Sequence, residues 1–272
     1  MTVAVVVTTA GRDRHLARTL DGLAAQRDPA DEIVVVDMAD SPIPMVPPVR
    51  RLPLAVPGSA LPLAAARNAG AAATSTDHLV FLDVDCIPHP DLVGDHVRAL
   101  HAAPPAIGCG RVRYLVEGWD RQVDAGLDAR SAPHPARPCP DQSTLDHDHP
   151  ELLWSLNMSA SRATWDRLGG FDTGFRGYGA EDTDLGLRAD RLGIPLLWVA
   201  GALAYHQWHP PSRLDPSRTG EIVANARRFR DRWQQWPMRG WLDELATIGA
   251  VRFDPVADVL EEVPSWTPSP VS

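Results

Sequence analysis

The sequence predicts an α/β fold built on a mainly parallel central sheet with helices on its faces. Three observations carry this. Short apolar, β-branched runs recur early in the chain, at "VAVVVTT" (3–9), "DEIVVVD" (31–37) and "HLVFLDVD" (78–85). Such runs, without polar alternation, suit strands covered on both faces. Between them lie stretches of helical spacing, "RHLARTLDGLAAQ" and "LAAARNAGAAA". Each run also ends in hydroxyls or carboxylates: Thr8 and Thr9, Asp37, then Asp83 and Asp85. These are carboxyl ends of strands, where parallel sheets bind their ligands.

The elements follow in order. Gly11 and Asp13 end the first strand and open a helix on which Leu16, Leu20, Leu23 and Ala24 share one face. The proline-rich stretch 42–57 reads as irregular, with a short edge strand near Arg51 to Val56. Alanines favour a helix over 63–73. Beyond the third strand, "DLVGDHVRALHAA" has helical spacing and "AIGCGRVRYLV" reads as a strand. Residues 117–150 are polar and proline-rich, the composition of a flexible loop or lid. "LLWSLNMSASRATWDRLGGFD" gives a strand and a short helix, "AEDTDLGLRADRLG" an amphipathic helix closed by Gly193, and "PLLWVAGALAYHQWHP" more strand. From 212 onward a helix leads into a proline-rich tail expected to fray. Its arginine-rich stretch "ARRFRDRW" reads as a solvated helix face.

Composition excludes several functions. The 272 residues carry a formal net charge of −9, which disfavours nucleic-acid binding. Every strongly basic side chain is arginine, because the chain contains no lysine. A Walker-type phosphate loop and pyridoxal-phosphate chemistry both require one. The three cysteines, Cys86, Cys109 and Cys139, form no CxxC pair, so neither a zinc cage nor a disulfide framework is indicated. The N-terminal stretch lacks the charge pattern of a signal peptide, and no stretch has the ~20 apolar residues of a membrane span. A cytoplasmic location is expected.

Several acidic and histidine groups are candidates for chemistry. Asp83 and Asp85 flank Val84 in "FLDVDC". Alone, the pair describes the solvated end of a strand as well as a cation site. "GYGAEDTDL" opens a helix with Glu181, Asp182 and Asp184, which suits either a proton acceptor or ordinary helix capping. His206 and His209 stand three apart in "AYHQWHP". The "DHDH" tract, Asp146 to His149, reads more readily as solvated loop than as a metal cluster.

Together, "VVVTTAGR", "AAARNAG", "FLDVDC" and "GGFDTGFRGYGAEDTDLGLR" resemble the nucleotide-sugar glycosyltransferases of the GT-A fold. The likeness is to the large inverting family 2, with a galactosyltransferase-like C-terminal half, and covers residues 2–210. It implies a GT-A, Rossmann-like sheet with a mixed acceptor-side half. It also implies an inverting, hexosyltransferase-type enzyme moving a sugar from a nucleotide diphosphate sugar, expected to be a UDP-sugar, to an acceptor hydroxyl of a saccharide or natural product. Asp83 and Asp85 match the family's DxD motif, which implies both at the Mn2+ or Mg2+ site, with Asp85 the expected direct ligand and His206, ahead of His209, completing it. An imidazole ligand would tilt the preference to Mn2+. Asp182 matches the base and Glu181 the residue that holds the acceptor; the helix N-terminus is expected to keep Asp182 ionised. Thr8, Thr9, Arg12, Asp37, Arg67, Asp83 and Val84 are implied in donor binding, and Tyr178, Trp154 and Asn157 in binding the sugar or acceptor. Two departures stand out: Met38 follows Asp37 where relatives often carry a second Asp or Asn, and Gly179-Ala180 replaces Gly-Gly before Glu-Asp.

The implied organisation is a nucleotide-sugar half (1–115), a lid (116–150), an acceptor half of the same domain (151–211) and a C-terminal helical extension (212–272). Two other functions compete: a noncatalytic sugar-nucleotide or glycan-binding protein, and a nucleotidyltransferase, for which "TTAGRDR" offers a thin triphosphate loop.

Overall fold

A computed structural model of the chain describes residues 1–39, 45–103, 105–121, 126–211 and 214–263. The expected frayed tail from 264 onward lies outside them, as does part of the stretch 42–57.

The first half alternates strand and helix: β1 (Val3–Thr9), α1 (Asp13–Ala24), β2 (Glu32–Asp37), β3 (Val49–Pro53), α2 (Leu63–Ala72) and β4 (His78–Asp83). These strands lie parallel in the order β3-β2-β1-β4. The edge strand β3 begins two residues before the expected one. Then follow β5 (Cys86–Pro88), α3 (Leu92–Ala102) and β6 (Ile107–Leu115). Past the loop come β9 (Asn157–Ser161), α4 (Arg162–Leu168), α5 (Glu181–Arg191) and β10 (Leu196–His206). Here the sheet becomes mixed: β9 runs antiparallel between β4 and β6, β10 lies parallel to β6, and β5 turns back antiparallel along β10.

Apolar residues on both faces explain why the early strands lack alternation. Ala4 and Val6 join a core with α2, α4 and α5, while Val3, Val5 and Val7 join a second core with α1 and α3. Helix α2 sits close to β1 because Gly70 has no side chain: a Cβ there would come within 2.3 Å of Val6 Cγ1.

Two stretches carry more order than their composition implies. The segment expected as a flexible loop or lid contains β7 (Ser131–Pro133), paired with β6, and β8 (Thr144–Asp146), paired with β10. Its polar residues supply the anchors: Asp146 accepts from Trp198 Nε1 at 2.9 Å and Asp128 from the Tyr205 hydroxyl at 3.0 Å. The arginine-rich face of α6 (Pro216–Trp233) is not merely solvated. Arg227 donates to Leu260 O, Arg228 to Asp172, Arg230 to Asp258, and Arg232 to both Asp172 and Asp184. These pairs fasten α6 to α5 and to a C-terminal hairpin, β11 (Val251–Asp254) and β12 (Val259–Glu262), which with α7 (Arg239–Thr247) shares a separate apolar cluster.

Candidate active site

The parallel register lines up the polar strand ends. Thr9 is opposite Asp37 on β2, and Thr8 is opposite Asp83 on β4. Both threonines are buried, and Thr9 Oγ1 has no hydrogen-bond partner among the described residues. Asp37 is buried too; its Oδ1 accepts from Ala39 N at 3.0 Å and its Oδ2 lies 3.6 Å from Arg51 Nε. Val84 contributes packing and a carbonyl that accepts from Thr19 Oγ1 at 2.8 Å, which fixes the turn carrying the two aspartates.

That turn sends the aspartates to different partners. Asp83 accepts from Arg67 Nη2 at 3.0 Å, and the other arm of the same guanidinium, Nη1, reaches Glu181 at 3.0 Å. Arg67 is buried in α2, so one rigid fork ties the DxD turn to the start of α5. Burial alone would lower its pKa, but Asp83 and Glu181 more than offset this and raise it.

Asp85 faces the other way. His206, the last residue of β10, lies opposite Cys86 on β5, and this register sets its ring beside the DxD turn. His206 Nε2 is 3.5 Å from Asp85 Oδ1, and His209 Nε2 is 3.3 Å from Asp85 Oδ2. Arg12, at the start of α1, donates to that same Oδ2. Burial would raise the Asp85 carboxyl, but His206, His209 and Arg12 hold it well below the usual carboxylate range.

Asp85, His206 and His209 each offer a ligand atom, all within 4.8 Å of one another. The tautomer of His209 tests the fit to a cation. Its Nδ1 lies 2.7 Å from Pro210 O, and a carbonyl only accepts, so Nδ1 carries the proton in the neutral ring. That leaves Nε2 facing Asp85 in one of two ways: as a donor when the ring is protonated, or as a lone pair that a cation shared with the carboxylate would bridge. One carboxylate oxygen and two imidazole nitrogens suit Mn2+ better than Mg2+. Among the described residues the "DHDH" tract forms no such cluster, because Asp146 is used by Trp198, His149 and the turn backbone.

Asp182 opens α5 beside Glu181. Its Oδ1 accepts from Thr183 N at 2.8 Å, and Oδ2 lies 3.4 Å from Ser155 N. Burial and the neighbouring Glu181 carboxylate push its carboxyl up to about 7, outweighing Arg67 and the backbone N–H groups. The expected helix-end effect therefore does not dominate. Asp184, by contrast, is fully buried and bonded to Arg188, Arg232 and Trp233, which anchors α5. The turn before α5 is tight: a Cβ on Gly179 would come within 2.7 Å of Met238 Sδ, and Ala180 adopts a left-handed φ of 72° without being glycine.

A family model described as glycosyltransferase-like family 2 matches residues 1–235. The chain belongs to this family. Validoxylamine A glucosyltransferase of Streptomyces hygroscopicus subsp. limoneus is 29% identical over 259 residues, covering 84% of this chain and 56% of that protein. Its counterpart in subsp. jinggangensis is 30% identical over 191 residues, covering 61% and 44%. The chain thus spans about half the length of the curated relatives it matches. Among solved structures, GalNAc-T7 with UDP, GalNAc and Mn2+ superposes with a TM-score of 0.59 at 15% identity, over 91% of this chain and 57% of that one. S. aureus TarS 1–349 in complex with UDP-GlcNAc gives 0.58 at 14% identity, over 90% and 76%. The shared feature is the GT-A fold, a mostly parallel mixed sheet flanked by helices.

Within this family 2 chain, two expected site residues have structural partners. Asn157 is fully buried in β9, where its amide donates to Arg111 O and Ala202 O and its Oδ1 contacts His96 Nε2 at 2.8 Å. It stitches strands together and does not line an acceptor site. Tyr178 stacks on Trp241 with centroids 5.6 Å apart and lies within reach of Arg218, so it packs with the C-terminal helices. Trp154 does adjoin the site. A row of rings runs from it through His134 (4.9 Å) and Tyr114 (5.5 Å) to His206, on which Tyr114 stacks at 4.7 Å.

Sequence reasoning did not find Tyr114, Gln207 or Arg137. Tyr114 is in register with His206, a relation visible only once β6 and β10 pair. Gln207 is buried; its N–H donates to Asp85 O at 2.7 Å and its amide to His15 O at 3.2 Å, so it ties β10 to the DxD turn. The Arg137 guanidinium sits 5.1 Å from both Trp154 and Trp198, and its three nitrogens are buried without a hydrogen-bond partner among the described residues. No described helix is long and apolar enough to cross a membrane.

Proposed function

We propose that this chain transfers a sugar, with inversion, from a nucleotide diphosphate sugar to an acceptor hydroxyl, using a divalent cation. The observation that carries the proposal is the Arg67 fork, which joins the DxD aspartate Asp83 to the Glu181-Asp182 pair. One rigid contact thereby connects a candidate leaving-group site to a candidate proton acceptor. The donor nucleoside is proposed to be uridine, with Asp37 accepting from the base and Thr8 and Thr9 lining its pocket; Asp37 and Thr9 are buried at the strand ends where such a ring would sit. The two structural neighbours were solved with UDP and with UDP-GlcNAc, which supports this choice. The glucosyltransferase relatives make a hexose the first donor to try.

Asp85, His206 and His209 would hold the cation, and Mn2+ is preferred for the donor set described. The bound ion would supply charge neutralisation for the departing diphosphate. Arg67 holds the two carboxylate sites in fixed relation. Asp182 accepts the proton of the incoming hydroxyl, and a carboxyl raised to about 7 suits a base that works near neutral pH. Trp154 and the adjoining rings offer an apolar face for an acceptor.

The test is turnover of UDP-hexoses with Mn2+, followed by product release and by the anomeric configuration of the product. Activity that needs Mn2+ and is lost in Asp85→Ala and Asp182→Asn supports the proposal. Donor binding and turnover indifferent to metal and to both substitutions would refute it.

A further inference from the structure

The oxygen of Asp85 that faces His209 is the one that Arg12 holds. Asp85 Oδ2 lies 3.3 Å from His209 Nε2 and simultaneously accepts from Arg12 Nη1. A cation shared by Asp85 and His209 would need that space. Arg12 is well placed to leave it: about a third of its side chain is exposed, whereas Asp85 is buried. Arg12 also precedes α1 directly after the loop at the end of β1, on the side of the sheet where the donor is proposed to bind.

We propose that Arg12 is a tethered stand-in for the cation: it neutralises Asp85 until the metal enters, and the displaced guanidinium then turns to the donor's diphosphate. This rests on the metal reading of the Asp85–His206–His209 cluster. The chemistry suits both positions. A planar guanidinium pairs with one carboxylate oxygen in the first and can span two phosphate oxygens in the second. Exchanging one cation for another keeps the buried carboxylate neutralised throughout, which avoids the large cost of an unpaired buried charge. A consequence follows for order of binding. While Arg12 is held by Asp85 it cannot serve the diphosphate, so metal and nucleotide promote each other's binding partly through this side chain.

The substitution Arg12→Gln should therefore act in opposite directions on the two ligands. Mn2+ affinity without nucleotide, read from the free-ion electron paramagnetic resonance signal and by calorimetry, should rise roughly tenfold, the scale of one charged hydrogen bond. UDP affinity at saturating Mn2+ should fall by about the same factor. A gain in metal affinity cannot come from misfolding. Arg14→Gln controls for general charge, because Arg14 is exposed and directed to Asp120 at 3.6 Å; it should change neither value more than about twofold. Asp85→Asn should abolish Mn2+ binding. Unchanged or weaker Mn2+ binding in Arg12→Gln, beside wild-type binding that depends on Asp85, would overturn this inference and leave the metal site standing. So would an equal gain in Arg14→Gln, or unchanged UDP affinity. Mn2+ binding by neither wild type nor Arg12→Gln would overturn both.

Discussion

Replacing Asp182 by Asn should strengthen the fold while removing transfer. The carboxyl ordinarily ionises near 3.8 but is pushed up to about 7 here by burial and by Glu181. Its protonated form therefore adds to stability in acid, fully below 3.8, and that contribution is lost as the pH rises to about 7. Above that, holding the carboxylate in place costs up to about 4 kcal/mol. Part of Asp182 remains open to solvent, so about 2 kcal/mol is the more realistic figure. Asparagine has nearly the same shape, and its oxygen can still accept from Thr183 N, so it removes the charge and the long 3.4 Å contact with Ser155 N. At about 2 °C per kcal/mol for a chain of this size, the melting temperature should rise by about 4 °C at pH ~8. The gain should shrink toward pH ~5, where wild-type Asp182 is mostly protonated. Transfer should fall by about 10²–10⁴-fold, the scale of a lost general base. In the wild type, rate should climb with pH through about 7 as Asp182 loses its proton. Scanning calorimetry of both proteins across this range, with matched kinetics, checks the reasoning. Destabilisation at pH ~8, or a gain independent of pH, would refute the claim that Asp182 is a strained base.

Other substitutions separate chemistry from scaffolding. Arg67→Met leaves the buried Glu181 carboxylate and the half-buried Asp83 without their shared counter-ion and should cost about 3 kcal/mol in denaturant unfolding; a loss below about 1 kcal/mol would show that the fork matters little. Asn157→Ala strands His96 and two carbonyls and should cost about 2–4 kcal/mol, yet leave the acceptor KM unchanged in protein that remains folded. His209→Ala should weaken Mn2+ binding by about tenfold or more in calorimetry, whereas Asp146→Ala in the "DHDH" tract should not change it.

The parallel half of the fold is legible because its residues obey local rules. β1, β2 and β4 are apolar runs buried on both faces, and their polar ends mark the ligand edge without knowledge of the pairing. The DxD turn and the Glu-Asp helix start are legible for the same reason, as short contiguous patterns. What escapes the sequence depends on register and burial. The resemblance implies Asn157 as a site residue, but its position in β9 places it inside the sheet, against Gly110 and His96. Tyr178 follows glycine in an apparent sugar loop, and only the packing of α7 reveals its partner Trp241. The segment 117–150 reads as featureless because β7 and β8 are three residues each, too short to show a period. The Arg67 fork joins residues 114 positions apart, and no local pattern announces it.

Calorimetric titration of UDP into the wild-type chain, with Mn2+ and then with a chelator, tests the proposed donor site most directly. If the strand-end aspartates and the two histidines form a cation-dependent diphosphate site, UDP should bind with Mn2+ and lose most of its affinity without it. Equal binding in both conditions, or none in either, would contradict that function for the site.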